Sequence, residues 1–158
     1  MKDSSNRQID KIDIRILQAL QKDGRLPNAE LAGQVNVSPA TCHRRTQRLF
    51  DANIIDSIRA HVNPDVVELG AIVMVGVILD RSTPESFANF ECAIKKLTIV
   101  LSCYLVAGEY DYLLKIRVKD MSDFNKLHSD KLLELPEVRQ LRTYFVMKEV
   151  IENAPLQF

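Results

Sequence analysis

The most informative stretch of this 158-residue sequence is Asn36-Val37-Ser38-Pro39-Ala40-Thr41-Cys42-His43-Arg44-Arg45-Thr46-Gln47-Arg48-Leu49. It holds three arginines and one histidine but no acidic residue. Ser38 can cap a helix that begins at Pro39. Proline is tolerated at this first position because N–H groups of the first turn have no partner within the helix, so the N–H that proline lacks costs no hydrogen bond. Cys42, Thr46 and Leu49 would then share the inward face. The stretch therefore predicts a basic helix.

The outward face of this helix is predicted to carry Thr41, Arg44 and Arg48. Arginine can contact both guanine edges and phosphate oxygens, and the N-terminal part of such a helix usually reaches the bases. The alternative is a solvated face of a small helical domain, since charged helix faces are common. The candidate DNA contacts are Ser38, Pro39, Thr41, His43, Arg44, Arg45, Gln47 and Arg48.

Two shorter helices are predicted before the basic helix and a strand pair after it. Apolar residues from Ile9 to Leu20 recur every three or four positions up to Asp23-Gly24, and a second short helix follows Pro27-Asn28. Residues 54–62 have the pattern of a strand or hairpin that ends at Asn63-Pro64. Three helices followed by strands are the layout of a winged helix-turn-helix domain.

The second half of the chain is predicted to alternate strands and helices in the order βαββαβ. The predicted strands cover 71–79, 99–106, 112–118 and 138–150. One helix follows Thr83-Pro84, and the other is capped by Ser122 or Asp120. This order is typical of a ferredoxin-like α+β domain, in which two helices cover one face of a four-stranded antiparallel sheet.

The last predicted strand carries apolar side chains on both of its faces. Alternation puts Tyr144 and Val146 on one face, and Phe145 and Met147 on the other. Because helices cover only one face of such a sheet, the apolar groups on the other face need a partner. The pattern therefore predicts at least a homodimer.

The formal net charge of zero is the sum of two opposite charges. Residues 1–62 hold ten basic and seven acidic side chains (+3), and residues 63–158 hold eleven basic and fourteen acidic ones (−3). We therefore expect a DNA-binding domain over 1–62 and a separate domain over 63–158. The 46% content of hydrophobic residues argues against a disordered chain.

Several classes of protein are disfavoured by what the sequence lacks. The three cysteines and three histidines form no metal-ligand spacing, and we expect reduced thiols and no metal site. No apolar run is long enough for a membrane helix, and the first twenty residues lack the apolar core of a signal peptide. We expect a cytoplasmic protein. We also expect no catalytic residues, since no acid, base and nucleophile occur together.

One turn in the second half could bind a small ligand. The glycine of Ala107-Gly108-Glu109-Tyr110-Asp111-Tyr112 lets backbone N–H groups face a carboxylate, and Asp111 could accept from an ammonium group. Together they would suit a zwitterionic amino acid. The alternative is a strand connection in which Gly108 and Asp111 serve only the turn.

Both halves together resemble the leucine-responsive regulatory protein/AsnC family of transcription regulators over about residues 8–152. The stretches that match are Ile9–Leu17, Gln21–Arg25, Glu30-Leu31-Ala32, Val37-Ser38-Pro39, Arg45, Arg48-Leu49, Asn63-Pro64, Leu105–Leu114, Val118, Asp120-Met121, Leu135-Pro136, Val138 and Arg142-Thr143-Tyr144. The second half is most similar to the leucine-responsive branch. The family pattern differs at His43, Thr46, Phe50 and Phe145, where leucine, valine, glutamate and valine are usual.

The resemblance implies a sequence-specific regulator that binds double-stranded DNA through residues 39–52. It implies a C-terminal domain of the RAM or ACT-like kind, homodimers that assemble into octamers, and association with the nucleoid. An amino-acid effector, leucine or a similar one, would bind between dimers, and no cofactor is implied. The effector residues carried over are Leu105, Gly108, Asp111, Met121, Tyr144, Phe145 and Val146.

A second function is also compatible with these patterns. The chain could be an amino-acid-binding metabolic or protein-interaction module that has no specific DNA binding, with a basic helix that is merely solvated. An enzyme is the weakest interpretation, because no catalytic constellation is visible.

Overall fold

The computed structural model describes residues 9–158, so residues 1–8 of the first predicted domain lie outside the described residues. The chain divides into two compact units. Residues 9–61 and 151–158 form the helical unit, and Val62–Val150 forms the sheet unit. The sequence-based division assigned 151–158 to the second domain. These residues group with the helices because the Gln21 side chain accepts from the Leu156 N–H at 2.8 Å and donates to its carbonyl.

Three helices make up the helical unit: α1 (Lys11–Lys22), α2 (Asn28–Val35) and α3 (Pro39–Asp51). Between α2 and α3, Asn36 takes a left-handed conformation with φ 57°, which ends α2 and turns the chain toward α3. The predicted three-helix layout and the tight turn are confirmed. The core between the helices is built from Ile16, Leu31, Ala32, Val35, Cys42 and Leu49.

The predicted wing is where the helical unit differs from the sequence-based expectation. Residues 54–63 form no strand. Ile54 and Ile55 instead donate their N–H groups to the Leu49 carbonyl and pack against the helical core. A β-strand needs a neighbour to satisfy its N–H and C=O groups, and the described chain supplies none here. The alternation in 54–62 was therefore a poor guide to its structure.

The sheet unit has the predicted order of elements. These are β1 (Ala71–Leu79), α4 (Pro84–Ile94), β2 (Val100–Leu105), β3 (Tyr112–Val118), α5 (Met121–Leu127) with a π-helical turn (His128–Leu132), and β4 (Val138–Phe145). All pairings are antiparallel, and the strand order is β2-β3-β1-β4. The ferredoxin-like βαββαβ prediction is confirmed.

The two faces of the sheet have different neighbours. On one face, side chains of β1 and β3 pack with α4, α5 and the π-helical turn; the buried members include Val73, Val75, Val77, Phe90, Leu114, Ile116, Phe124 and Leu132. The other side, here called the helix-free face, is marked by Met74, Gly76 and Ile78 of β1. Cross-strand partners on this face are Leu113 and Lys115 of β3, and Gln140, Arg142 and Tyr144 of β4.

Two strands of this unit are shorter than predicted. β2 covers Val100–Leu105 instead of 99–106. The last strand ends at Phe145, which pairs with Val73, and only Ile72 and Ala71 of β1 lie beyond that pair, too few to pair with residues as far as Val150. A final hydrogen bond runs from the Val146 N–H to the Ile72 carbonyl. The last helix stops being α-helical at Leu127, and the π-helical turn brings Leu132 into the core.

None of the helices within residues 9–158 is long and apolar enough to cross a membrane.

Candidate nucleic-acid interface and effector residues

The exposed surface of α3 carries His43, Arg44 and Gln47. Gln47 donates its side-chain amide to Asp51 at 2.9 Å. Within α3, which is described throughout, Arg44 is the arginine that forms no ion pair. Its full charge is therefore available to a phosphate group or a guanine edge.

The residues at the start of α3 are held by capping contacts. Ser38 accepts a hydrogen bond from the Thr41 N–H at 3.3 Å and donates its hydroxyl to the Thr41 hydroxyl at 2.9 Å. Pro39 occupies the first turn, and its carbonyl accepts from the Asn28 side chain of α2 at 2.9 Å. These contacts fix the N-terminus of α3 relative to α2. Ser38 and Pro39 are exposed, and Thr41 is half-buried.

The other two arginines of α3 are paired with a buried carboxylate. Asp13 of α1 is completely buried, accepts from Arg45 Nη1 at 3.0 Å, and also accepts from Arg48 Nη2. The Arg45 side chain is 20% exposed and also donates to Asp10 at 2.7 Å. The Arg48 side chain is 37% exposed. Both arginines therefore tie α3 to α1, and less of their charge is available to DNA.

Asp10 completes this ion-pair network at the start of α1. Its carboxylate accepts from the N–H groups of Ile12 and Asp13, and the Asp13 side chain accepts from the Asp10 N–H, which forms a capping box. The hydrogen bond from the Asp13 N–H, followed by that from Arg45, lowers the Asp10 pKa to about 2. Because this pKa lies below its unfolded value, the stabilisation is present above about pH 4 and is lost as pH falls toward 2.

The role of Asp13 was not among the sequence-based predictions, although the sequence holds a signal for it. At 100° per residue, Asp13 lies between Leu20 and Leu17, within the apolar arc that these two residues form with Ile12 and Ile16. A carboxylate in the middle of an inward face needs a cation and hydrogen-bond donors. Arg45 and Arg48 of the neighbouring helix supply both.

The inward face of α3 also carries an unusual hydroxyl. Cys42 and Leu49 are buried as predicted, while Thr46 between them is half-buried. Among the described residues, the Thr46 hydroxyl and Arg45 Nε are buried without a hydrogen-bond partner. An unpaired buried hydroxyl costs free energy, so Thr46 weakens the packing of α3.

Three of the predicted effector residues lie in or beside the turn between β2 and β3. Leu105 is the exposed last residue of β2, and Gly108 has φ 155° with open space where a side chain would be. The Asp111 carboxylate accepts from the Leu79 N–H at 2.8 Å. The Asp111 N–H donates to the Val77 carbonyl, so Asp111 anchors the turn to the end of β1.

The other four predicted effector residues lie at the end of β4, directly after it, and at the start of α5. Met121 begins α5 and is exposed, one helical turn before Phe124. The Phe145 ring packs edge-on against the Phe124 ring, with centroids 5.4 Å apart. Tyr144 and Val146 point away from the α5 side, in agreement with the predicted alternation.

In this fold, the seven predicted effector residues form two separate groups. The turn between β2 and β3 lies at the end of β1 that pairs with Tyr112, and α5 follows the opposite end of β3. The seven residues of β3 separate these ends by about 20 Å. One chain therefore does not surround a ligand with all seven residues.

One cavity in the described part of the chain lies away from these residues. No group of three or more His, Cys, Asp or Glu residues among 9–158 could hold a metal ion. A cavity of about 600 Å³ lies in the helical unit and is lined by apolar residues such as Leu17, Leu20 and Ile55. None of the predicted DNA-contact or effector residues lines it.

Two family models match this chain. The AsnC-type helix-turn-helix domain matches residues 9–49, which include α1, α2 and most of α3. The Lrp/AsnC ligand binding domain matches residues 72–156, which include all of the sheet except Ala71.

Curated relatives and solved structures match over nearly the whole chain. The leucine-responsive regulatory proteins of Salmonella typhimurium and Escherichia coli K12 are each 44% identical over 156 residues, with 97% of this chain and 95% of theirs covered. A transcriptional regulator from Neisseria meningitidis, solved as a complex with L-Met, is 37% identical with a TM-score of 0.89, covering 95% of this chain and 97% of that one. The AsnC protein of E. coli is 27% identical with a TM-score of 0.83, covering 92% and 96%.

Proposed function

Because the chain belongs to the Lrp/AsnC family of transcription regulators, we propose that it binds specific DNA sites and changes its activity or oligomeric state when an amino acid binds. Its relatives are regulators, so we assign no enzymatic activity. The observation that carries the proposal is the exposed cationic face of α3, presented by a helix-turn-helix whose turn and cap are formed.

The ion pairs of α3 divide its candidate DNA contacts by role. We infer that Arg44, His43 and Gln47 contact DNA directly, because their side chains are exposed. Ser38, Pro39 and Thr41 lie at the N-terminal end, where such helices approach base edges. Arg48 retains exposed N–H groups for phosphate, whereas Arg45 is mainly committed to Asp10 and Asp13.

The effector is proposed to be a zwitterionic amino acid such as leucine. Gly108 leaves backbone groups of the turn open to a carboxylate, and Asp111 offers a negative charge beside it. The L-Met complex of the Neisseria regulator supports this ligand class. Since the seven candidate residues form two groups in one chain, we infer that the binding site is completed by another copy, between dimers.

The helix-free face supports the proposal of a homodimer. Met74, Ile78 and Leu113 lie on this face, and Tyr104 and Tyr144 are about half exposed there. Apolar and aromatic groups grouped on one side of a sheet are typical of a surface that a second sheet covers. We propose that dimers formed in this way assemble further, up to an octamer, with several DNA-binding units acting together.

The cellular location follows from the proposed partner. A regulator that binds chromosomal DNA would act in the cytoplasm and associate with the nucleoid.

A combined binding screen tests the proposed function. Purified protein is mixed with each of the twenty amino acids, and thermal stability and oligomer size are measured side by side. One or a few amino acids should raise the melting temperature and change the oligomer distribution, because a ligand shifts an equilibrium only toward the state that it prefers.

A gel shift with the DNA upstream of the protein's own coding sequence should show binding at low salt. Absence of any DNA shift would instead favour an amino-acid-binding module without specific DNA binding.

Two substitutions at Asp111 separate its charge from its role in the turn. Asp111→Asn keeps an oxygen that accepts from the Leu79 N–H but removes the charge, whereas Asp111→Ala removes both. We expect both variants to lose the amino-acid response, and only Asp111→Ala to lose about 1 kcal/mol of stability. Effector titration and urea unfolding measure the two quantities.

The control for this pair is Asp130→Asn, which changes an exposed aspartate on the π-helical turn of the same unit. It should leave both the amino-acid response and stability unchanged. A full amino-acid response in Asp111→Asn would mean that Asp111 serves only the turn.

A further inference from the structure

A glycine lies in the middle of the central strand β1, where it has no side chain to pack. Glycine weakens a strand and often marks a place where another group approaches the backbone closely. At Gly76 this group is the ring of Tyr110. A Cβ atom on Gly76 would lie 2.6 Å from Tyr110 Cδ1 and 2.7 Å from Cε1, which is far inside van der Waals contact. The Tyr110 ring therefore rests directly on the backbone of β1.

Tyr110 crosses β1 to reach the strand on its far side. It begins in the turn between β2 and β3, and its hydroxyl forms a hydrogen bond with the Tyr144 hydroxyl of β4. The two rings meet edge to face with centroids 6.3 Å apart. Because the strand order is β3-β1-β4, this contact spans the full width of β1 on the helix-free face.

A second contact also joins the turn between β2 and β3 to β4. Glu109, the neighbour of Tyr110, forms an ion pair with Arg142 of β4, and Arg142 is the cross-strand partner of Gly76. Both side chains are about half exposed, so this pair by itself stabilises little. The Tyr110–Tyr144 contact adds a fixed ring position and a directional hydrogen bond. The hydrogen bond with Tyr144 also raises the Tyr110 pKa above its usual value.

We propose that Tyr110, seated on Gly76, is a positioning residue for amino-acid binding that couples the β2–β3 turn to β4. The inference rests on the proposed function, because it takes the turn to bind the effector. Tyr110 lies between Gly108 and Asp111 in this turn, and through Tyr144 it joins the two groups of effector residues that the fold otherwise keeps apart. Since the contact lies on the proposed dimer face, displacement of the turn would also reach the dimer interface.

Two substitutions remove different parts of this contact. Tyr110→Phe keeps the ring on Gly76 and loses the hydrogen bond, so the amino-acid concentration for half-maximal response should rise about three- to tenfold. Gly76→Ala places a methyl group where the Tyr110 ring lies. It should raise the amino-acid concentration for half-maximal response further, by at least tenfold, because the ring must move. Tyr144→Phe should match Tyr110→Phe, and the double variant should be no worse than either single variant.

The measurement uses the full-length protein and the amino acid identified by the screen. Binding is followed by calorimetric titration, because the Tyr→Phe variants each remove one of the four tyrosines and would by themselves change a tyrosine fluorescence signal. DNA affinity without effector and the melting temperature are measured in parallel, and both should be unchanged in Tyr110→Phe. The matched control is Tyr104→Phe, since Tyr104 lies on the same face and is 57% exposed.

The outcomes separate this inference from the proposed function. Weaker amino-acid binding in Tyr110→Phe and Tyr144→Phe, with no change in Tyr104→Phe, would support it. A normal response in both Tyr110→Phe and Gly76→Ala would overturn it while the proposed function stood. A wild-type protein that responds to no amino acid would overturn both. If Gly76→Ala fails to fold, the Tyr110→Phe and Tyr144→Phe results decide.

Discussion

Replacement of Asp13 by alanine is expected to destabilise the helical unit by about 3 kcal/mol, the largest effect of any single substitution proposed for this unit. The physical reason is that Arg45 and Arg48 would lose the buried carboxylate that both of them contact. The cost is expected toward the lower end of the range for a broken buried ion pair, because the side chains of Arg45 and Arg48 are both partly exposed. Loss of the capping-box contact to the Asp10 N–H adds to it.

Urea unfolding followed by circular dichroism, with hydrogen exchange of the amides of α1–α3, measures this effect. The control is Asp56→Ala, which removes an exposed aspartate of the same unit. It should leave stability within about 0.5 kcal/mol of the original protein. An Asp13→Ala variant as stable as this control would show that the network around Asp13 contributes no net stability.

The Arg44→Ala variant is expected to have the largest effect on DNA binding. Arg44 is exposed on α3 and forms no ion pair there, so its loss removes a contact without disturbing the fold. We expect about a tenfold loss of affinity for each DNA-binding unit engaged, and about a hundredfold when two units bind together. If Arg44 contacts phosphate, the slope of log affinity against log salt should fall by about one for each unit.

Titrations of operator DNA at several salt concentrations measure both the affinity and the slope. Arg44→Lys should recover most of the salt slope, because it keeps the charge, but not a bidentate contact to a base. The control is Arg59→Ala, an exposed arginine outside α3. Unchanged affinity and slope in Arg44→Ala would remove this residue from the DNA interface.

The arginines of α3 show how far a local pattern predicts a site. All three were candidate DNA contacts because they lie on one basic helix, and a helical projection separates inward from outward faces only approximately. Which arginine pairs with Asp13 depends on how α1 packs across α3, about thirty residues away in sequence. The sequence held the signal of an acid in the apolar arc of α1, but not the identity of its partners.

The predicted wing and the predicted effector residues also show what a local sequence pattern does not predict about strands. Alternation in residues 54–62 predicted a strand, yet strand formation also needs a partner, and the described chain places none beside them. The seven effector residues are named by resemblance and occur in the predicted elements. Only the register of the sheet shows that they form two groups and that Tyr110 connects them.

The sequence by itself determined the helix-turn-helix, the βαββαβ order and the opposite charges of the two halves. These properties depend on hydrophobic periodicity, caps and composition, which are local or additive. The tertiary structure alone decided that Asp10 and Asp13 pair with Arg45 and Arg48, leaving Arg44 the unpaired arginine of α3, and that Gly76 makes room for Tyr110. These are contacts between residues more than thirty positions apart, and their geometry depends on how whole helices and strands pack.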